Sequence, residues 1–298
     1  QPMTTVETPV RSQPPARRAA GTAFGSPRDF LGNRFVYAVV SPRARGLSIG
    51  VNLNPDRECN FDCAYCEVDR HQRPRELVLD VDAMACELER TLALVQSSEF
   101  AQLPGFAGLP AELLKLRQVN LSGDGEPTLC PQFLEAVHTV LHVRARGGAP
   151  FYKVVLLTNA TGLDRPAVQE GVRCFTNRDE VWAKLDAGTQ AWMERVNRPT
   201  VLLDQVLANI LALARQRPVV IQSLFPAIHG QEPPEPEIRE YAQRLKELKD
   251  AGADIPLVQV YSATRPTPHS ECGHLPLRSL ARIAQVVRDT TGLRAEVF

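Results

Sequence analysis

The chain has 298 residues, 44% of them hydrophobic and 6% aromatic, with 34 Lys and Arg against 34 Asp and Glu. That length supports one large domain with a substantial core, and the balanced charge lacks the basic excess of a dedicated nucleic-acid binder. No segment approaches about 18 consecutive apolar residues, so no membrane-spanning helix is expected, and seven cysteines, three of them clustered, fit a reducing cytoplasm better than a disulfide framework.

Residues 1–30 are rich in Pro, Ser, Thr and Ala without a hydrophobic period and are expected to form a flexible tail. Arg17-Arg18 in this segment is followed by no sustained apolar run, which argues against a twin-arginine export signal. The ordered domain is expected over 31–298. It opens with "RFVYAVV" and "GLSIGVNL", two short strands joined by "SPRARG" as a β-hairpin. Strand-length apolar runs then recur at 47–53, 118–121, 153–157, 181–185, 219–225 and 257–261.

Helical periodicity fills most of the gaps. "DVDAMACELERTLALVQ" has Asp80 as its cap, and "PQFLEAVHTVLHVRA" places Pro131 at a first helical position. "VLLDQVLANILALARQ", "EPEIREYAQRLKELKDAG" and "PLRSLARIAQVVRDTTG" follow, the last two running into a glycine stop. Alternating strands and helices imply parallel strands with right-handed crossovers. Six units are too few for a closed eight-fold barrel, so the expectation is an α/β fold, an open partial (β/α)6 barrel behind an N-terminal hairpin.

The chemistry concentrates in "NPDRECNFDCAYCEVDR" at 54–70, where Cys59, Cys63 and Cys66 are spaced C-x3-C-x2-C. Unrelated packing cysteines are one reading. A zinc site is another: Cys63, Cys66 and His71 echo a zinc knuckle, but a closed structural site needs four ligands and the matching position is Glu76. A third is a four-iron cluster on three thiolates, which leaves one iron with open coordination sites.

"CNFDCAYC" resembles the signature of the radical S-adenosylmethionine (SAM) enzymes, C-x3-C-x-aromatic-C, with Tyr65 in the aromatic place. The resemblance implies a partial barrel and one [4Fe-4S] cluster on Cys59, Cys63 and Cys66. It also implies SAM bound at the open iron and split reductively to a 5'-deoxyadenosyl radical. "GDGE" at 123–126 resembles the family's Gly-Gly-Glu motif, with Asp124 replacing one glycine. It implies SAM-binding roles for Gly125, which admits close backbone approach, and for Glu126, which can accept from an ammonium. Thr158 and Asn159, at the end of the next strand, lie where the family often places polar groups near SAM. Lys184 and Asp186 in "VWAKLDAGT" share one strand face and are candidates for SAM, substrate or an ion pair.

"LSGDGEPTL", "LLTNAT", "KLDAGT", "VNRPT" and "VQVYSATRP" are most similar to the wyosine-biosynthesis branch of that family. The branch's tRNA enzymes carry further upstream cysteines for a second cluster, and this chain has none before Cys59. Cys86, Cys130, Cys174 and Cys272 read as scattered packing thiols. The late loops "FPAIHGQEPPEPE" and "YSATRPTPHSECGHLPL" hold His229, Arg265, His269, Cys272 and His274. Among these, His229 is a candidate acid or base and Cys272 a candidate hydrogen donor; with Lys184 and Asp186 they are the catalytic candidates. Basic "DRHQRPRE" reads as a solvated charge run or as a dock for an acidic electron donor, and the implied donor is of the low-potential flavodoxin or ferredoxin type. The expected substrate is a small molecule or short peptide. A modified RNA base is the alternative, and a non-catalytic metal or Fe-S module is the alternative of a different class.

Overall fold

The computed structural model describes residues 30–74, 76–265 and 267–298. The expected tail lies outside them except for Phe30, which is buried and sets its ring edge-on to Phe106. Among the described residues, ten strands and seven α-helices follow in chain order. They are β1 (Val36–Ser41), β2 (Gly46–Asn52), α1 (Val81–Gln96), β3 (Leu116–Ser122), α2 (Phe133–Ala145), β4 (Lys153–Thr158), α3 (Pro166–Arg173), β5 (Glu180–Lys184), α4 (Gln190–Val196), α5 (Leu203–Ala214), β6 (Val219–Leu224), β7 (Ala227–Ile228), α6 (Glu235–Asp250), β8 (Val258–Tyr261), β9 (Cys272–Gly273), α7 (Leu277–Thr291) and β10 (Ala295–Val297).

Eight strands form one sheet in the order β1-β2-β3-β4-β5-β6-β8-β10, parallel throughout except for the antiparallel β1–β2 hairpin. The six expected strand–helix units are present, and the two ends of the strand order do not pair, so the barrel is open. Strand alternation explains the layering. Val119 and Leu121, Val154 and Leu156, Val181 and Ala183, Ile221, and Val258 and Val260 are buried in the main core, which the helices share. Their alternating neighbours occupy the concave face. That face is apolar at its base, with Val155, Trp182 and Val220 packed together. It turns polar toward the C-terminal strand ends, where Asn120, Lys184, Gln222 and Tyr261 line a cavity.

Local signals are mostly as expected. Asp80 caps α1 by accepting from the Ala83 amide at 3.0 Å, and Gly292 ends α7 with a left-handed φ of 68°. Helix α2 starts at Phe133, so Pro131 lies two residues ahead of it, before the cap Gln132, rather than at its first position. Helices α3 and α4, of eight and seven residues, are too short to show much periodicity, and β10 has only three residues. All three are additions to the expected pattern. Among the described residues no helix is long and apolar enough to cross a membrane.

Candidate active site

A cavity of about 760 Å³ opens at the C-terminal ends of the strands, where ligands bind in barrels of this kind. Cys59, Cys63 and Cys66 line it together with Tyr65, Gly125, Glu126, Thr158, Asn159 and Lys184. Residues 125 apart in sequence, Cys59 and Lys184, meet here because the strands that carry or precede them run parallel.

The cysteine loop is tied to its surroundings along its length. The Glu58 carbonyl accepts from the Glu126 amide at 2.9 Å, and Asn60 Nδ2 donates to Thr161 Oγ1 at 2.9 Å. The Asp62 and Ala64 amides donate to the Asn197 and Val196 carbonyls at 3.0 and 2.8 Å, and the Ala64 carbonyl accepts from Thr267 Oγ1 at 3.0 Å. Phe61 and Ala64 are buried in the core. The thiols therefore project from a loop whose backbone is held on both sides.

The Gly125–Glu126 turn is fitted against this loop. A Cβ on Gly125 would stand 1.7 Å from the Glu58 carbonyl oxygen, so only glycine fits. Glu126 is buried, and burial raises its carboxyl above the usual range against the pull of its hydrogen bonds. Its Oε1 accepts from the Thr128 amide (3.2 Å), the Thr128 hydroxyl (2.7 Å) and the Thr158 hydroxyl, and its Oε2 from the Asn159 amide (2.7 Å). Three donors crowd Oε1, whereas Oε2 accepts from one among the described residues and is the oxygen with room for a further donor. Asn159 turns its side chain to Asn60 and Thr161 (2.8 and 2.7 Å), which braces the cysteine loop against β4.

Lys184 and Asp186 form the ion pair that was one of the readings of their spacing, at 3.5 Å. Asp186 is buried, accepting from the Tyr65 hydroxyl, from Asn197 Nδ2 (2.8 Å) and from the Leu224 amide (2.8 Å). Lys184 reaches into the cavity, donates to the Tyr261 hydroxyl at 3.2 Å and stands 4.8 Å from the centre of the Tyr65 ring. Burial works against its charge, but Asp186, together with Tyr261 and Cys63, outweighs it and raises the ammonium above its ordinary value. Tyr65 is pushed up by burial and by Asp186 and stays a neutral donor.

Two side chains of this site carried no assigned role in the sequence. Asn197 Nδ2 also donates to Cys63 Sγ at 3.4 Å and to Tyr65 Oη at 3.2 Å. Arg70, from the basic run after the cysteine loop, turns inward: it faces Cys59 and Cys66 and donates to the Arg57 carbonyl at 3.0 Å. A separation of 134 residues hides the Asn197 contact from any local pattern.

Burial, and then the charge of Asp186, pushes the Cys63 thiol up to about 12, and burial raises Cys59. Thiolates here need compensating positive charge, which iron would supply along with Arg70 and the Asn197 amide. Among the described residues no three His, Cys, Asp or Glu side chains converge on a single-ion site of the kind tetrahedral zinc requires. A four-iron cube makes no such demand, because each thiolate binds a different iron. The donor set, three thiols facing a cavity, fits that group.

The remaining candidates lie elsewhere. His229 and Cys272 line a separate depression of about 370 Å³ beside β7 and β9, and neither lines the main cavity. His269 stands 3.6 Å from Asp62 and 3.8 Å from Glu271, and Arg198 pairs with both acids. Arg265 does line the main cavity, where it pairs with Glu67 at 3.0 Å.

No family model matches the chain. It is 26% identical over 274 residues to a UPF0026 protein of Helicobacter pylori strain J99, covering 85% of this chain and 79% of that protein. It is 24% identical over 182 residues to a UPF0026 protein of Methanocaldococcus jannaschii, covering 59% and 48%. Among solved structures it resembles a radical SAM methyltransferase from Sphaerobacter thermophilus, with a TM-score of 0.58 at 15% identity over 88% of this chain and 68% of that one. It also resembles Streptococcus suis SuiB bound to S-adenosylmethionine (TM-score 0.56, 15% identity, 82% and 49% covered), a protein also seen bound to its precursor peptide SuiA. TYW1 with a lysine-pyruvate adduct bound matches with a TM-score of 0.54 at 13% identity, covering 86% and 84%. The chain has the fold of radical SAM enzymes, as its cysteine motif led one to expect.

Proposed function

We propose that this protein is a radical SAM enzyme acting on a small molecule or short peptide. One observation carries the reading: the three cysteines of the C-x3-C-x2-C motif, the Gly125–Glu126 turn and Lys184 line one cavity at the C-terminal strand ends of a radical SAM fold. Cys59, Cys63 and Cys66 would hold a [4Fe-4S] cluster with one open iron. When bound and reduced by a flavodoxin- or ferredoxin-type donor, the cluster supplies the electron that cleaves SAM to methionine and a 5'-deoxyadenosyl radical, which takes hydrogen from the substrate.

The chain's own groups then have distinct tasks. Glu126 offers the free acceptance on Oε2 to the SAM ammonium. Lys184, held as an ammonium by Asp186, provides positive charge to a SAM or substrate anion. Tyr65 and Asn197, locked on Asp186, fix the Cys63 wall. A volume of about 760 Å³ lies within the small-molecule range of about 300–1,000 Å³. That size, and the balanced charge of the chain, favour a small molecule or an extended peptide over folded RNA.

The test is anaerobic reconstitution. About four iron atoms per chain are expected, lost in Cys63→Ala, with 5'-deoxyadenosine formed from SAM after addition of dithionite. One zinc per chain, with no iron chromophore after anaerobic purification, would sink the reading.

A further inference from the structure

Within the cavity, the other cationic side chains each have a partner. Lys184 is paired with Asp186 and Arg265 with Glu67, and Arg70 donates to the Arg57 carbonyl and faces the Cys59 and Cys66 thiols. Arg43 is different. It sits in the turn between β1 and β2 and lines the cavity, with its guanidinium carbon 4.2 Å from the centre of the Tyr261 ring. Its Nε is shielded from solvent without a hydrogen-bond partner, and no ion pair or hydrogen bond holds its guanidinium among the described residues. A fixed, stacked guanidinium with open donors is the arrangement that recognises a carboxylate or phosphate in a planar, two-pronged contact.

Its position separates this charge from the cluster. Arg43 stacks on the Tyr261 ring, whereas Lys184 contacts both the Tyr261 hydroxyl and the ring of Tyr65 in the cysteine loop. Leu103, Pro104 and Phe106 line the same cavity and add apolar wall. The cavity so combines a cysteine-bearing end with an end that pairs a cation and apolar surface.

Resting on the enzyme reading above, we infer that the substrate is an amphipathic anion whose carboxylate or phosphate is held by Arg43 while its apolar part faces Leu103, Pro104 and Phe106. The anion would be bound together with SAM, not in place of it, because Lys184 already supplies a cation nearer the cysteines.

The experiment uses the full chain, reconstituted anaerobically and loaded with SAM, in calorimetric titrations with benzoate, phenyl phosphate and neutral benzamide. Benzoate or phenyl phosphate is expected to bind, benzamide at least tenfold more weakly, and the preferred anion identifies the headgroup. Arg43→Ala should weaken the preferred anion at least tenfold. Arg43→Lys, which keeps the charge but not the fork, should fall between, and it serves as the test if Arg43→Ala does not fold. Arg278→Ala, an exposed arginine outside the cavity, should bind like wild type. The inference is overturned if neither anion binds, if benzamide binds equally well, if the Arg43 variants bind like wild type, or if the anion displaces SAM. Failure of wild-type protein to take up iron or bind SAM would instead defeat the enzyme reading, so the two failures are distinguishable.

Discussion

The two ends of the barrel handle buried charge in opposite ways. At the N-terminal end, before β5, Asp179 is wholly enclosed and receives Arg144 through two bonds of 2.6 and 2.9 Å. It also accepts from the Val154 amide (2.7 Å) and from the Thr176 amide and hydroxyl (2.8 and 2.9 Å). Arg217 closes the same corner by donating to the carbonyls of Val172, Thr176 and Asp179. At the C-terminal end, Lys184 and Arg43 keep donors directed to a cavity, and Glu126 Oε2 has room for a further donor. Closure at one end stabilises the fold, and incompleteness at the other leaves capacity for ligands.

Breaking the closed end should have the largest effect on stability. Removing one member of a buried, hydrogen-bonded pair leaves the other unpaired, so Asp179→Ala should cost about 3–5 kcal/mol, read from urea melts. Its pH dependence has a definite sign. Burial alone would raise the Asp179 carboxyl, but Arg144 and the amide donors hold it below the usual range. Its stabilisation is therefore present above the ordinary carboxylate pKa and is lost as pH falls through its lowered value. Melts of Asp179→Asn should lose this slope. If the variant and wild type run parallel from neutral pH into the acid range, Asp179 is not the buried anion described.

An intermediate effect is expected where the cysteine loop meets the Gly125–Glu126 turn. Gly125→Ala drives a methyl group into the Glu58 carbonyl, an overpacking worth about 1–3 kcal/mol. It should also weaken SAM binding roughly tenfold, since the turn moves away from its loop. Gly148 has open space around it and an ordinary backbone, so Gly148→Ala should stay within about 0.5 kcal/mol of wild type. Equal stability and SAM affinity for the two variants would show that the 125–126 turn is not part of the site.

The smallest change sharpens the comparison inside the cavity itself. Asn197→Leu removes the donor to Cys63 and leaves Asp186 and Tyr65 one bond short, at about 1 kcal/mol. Under the proposed function, loss of this hydrogen bond to the Cys63 sulfur should move the reduction potential of the proposed cluster to a more negative value. An electron-paramagnetic-resonance redox titration reads this independently of turnover, and an unchanged potential would assign Asn197 to packing alone.

Much of this was legible beforehand because it is local. The strands showed as apolar runs, the α1 cap as Asp80, and the cysteine motif as three residues within eight. The short helices α3 and α4 and the three-residue strand β10 were not legible, because about two helical turns, or three strand residues, give too few positions for a period or an apolar run to rise above composition.

By itself, then, the amino-acid order determined the alternating units, the open barrel and the three thiols in one loop, since each is written in neighbouring residues. Only the tertiary structure decided which distant side chains meet. It brought Asn197 to Cys63, Arg70 to Cys59 and Cys66, and Arg43 to Tyr261. It set His229 and Cys272 in a different depression. Parallel strands carry residues dozens of positions apart to one rim, and their contacts depend on register, burial and the pairing of charges across the sheet, none of which a linear pattern contains.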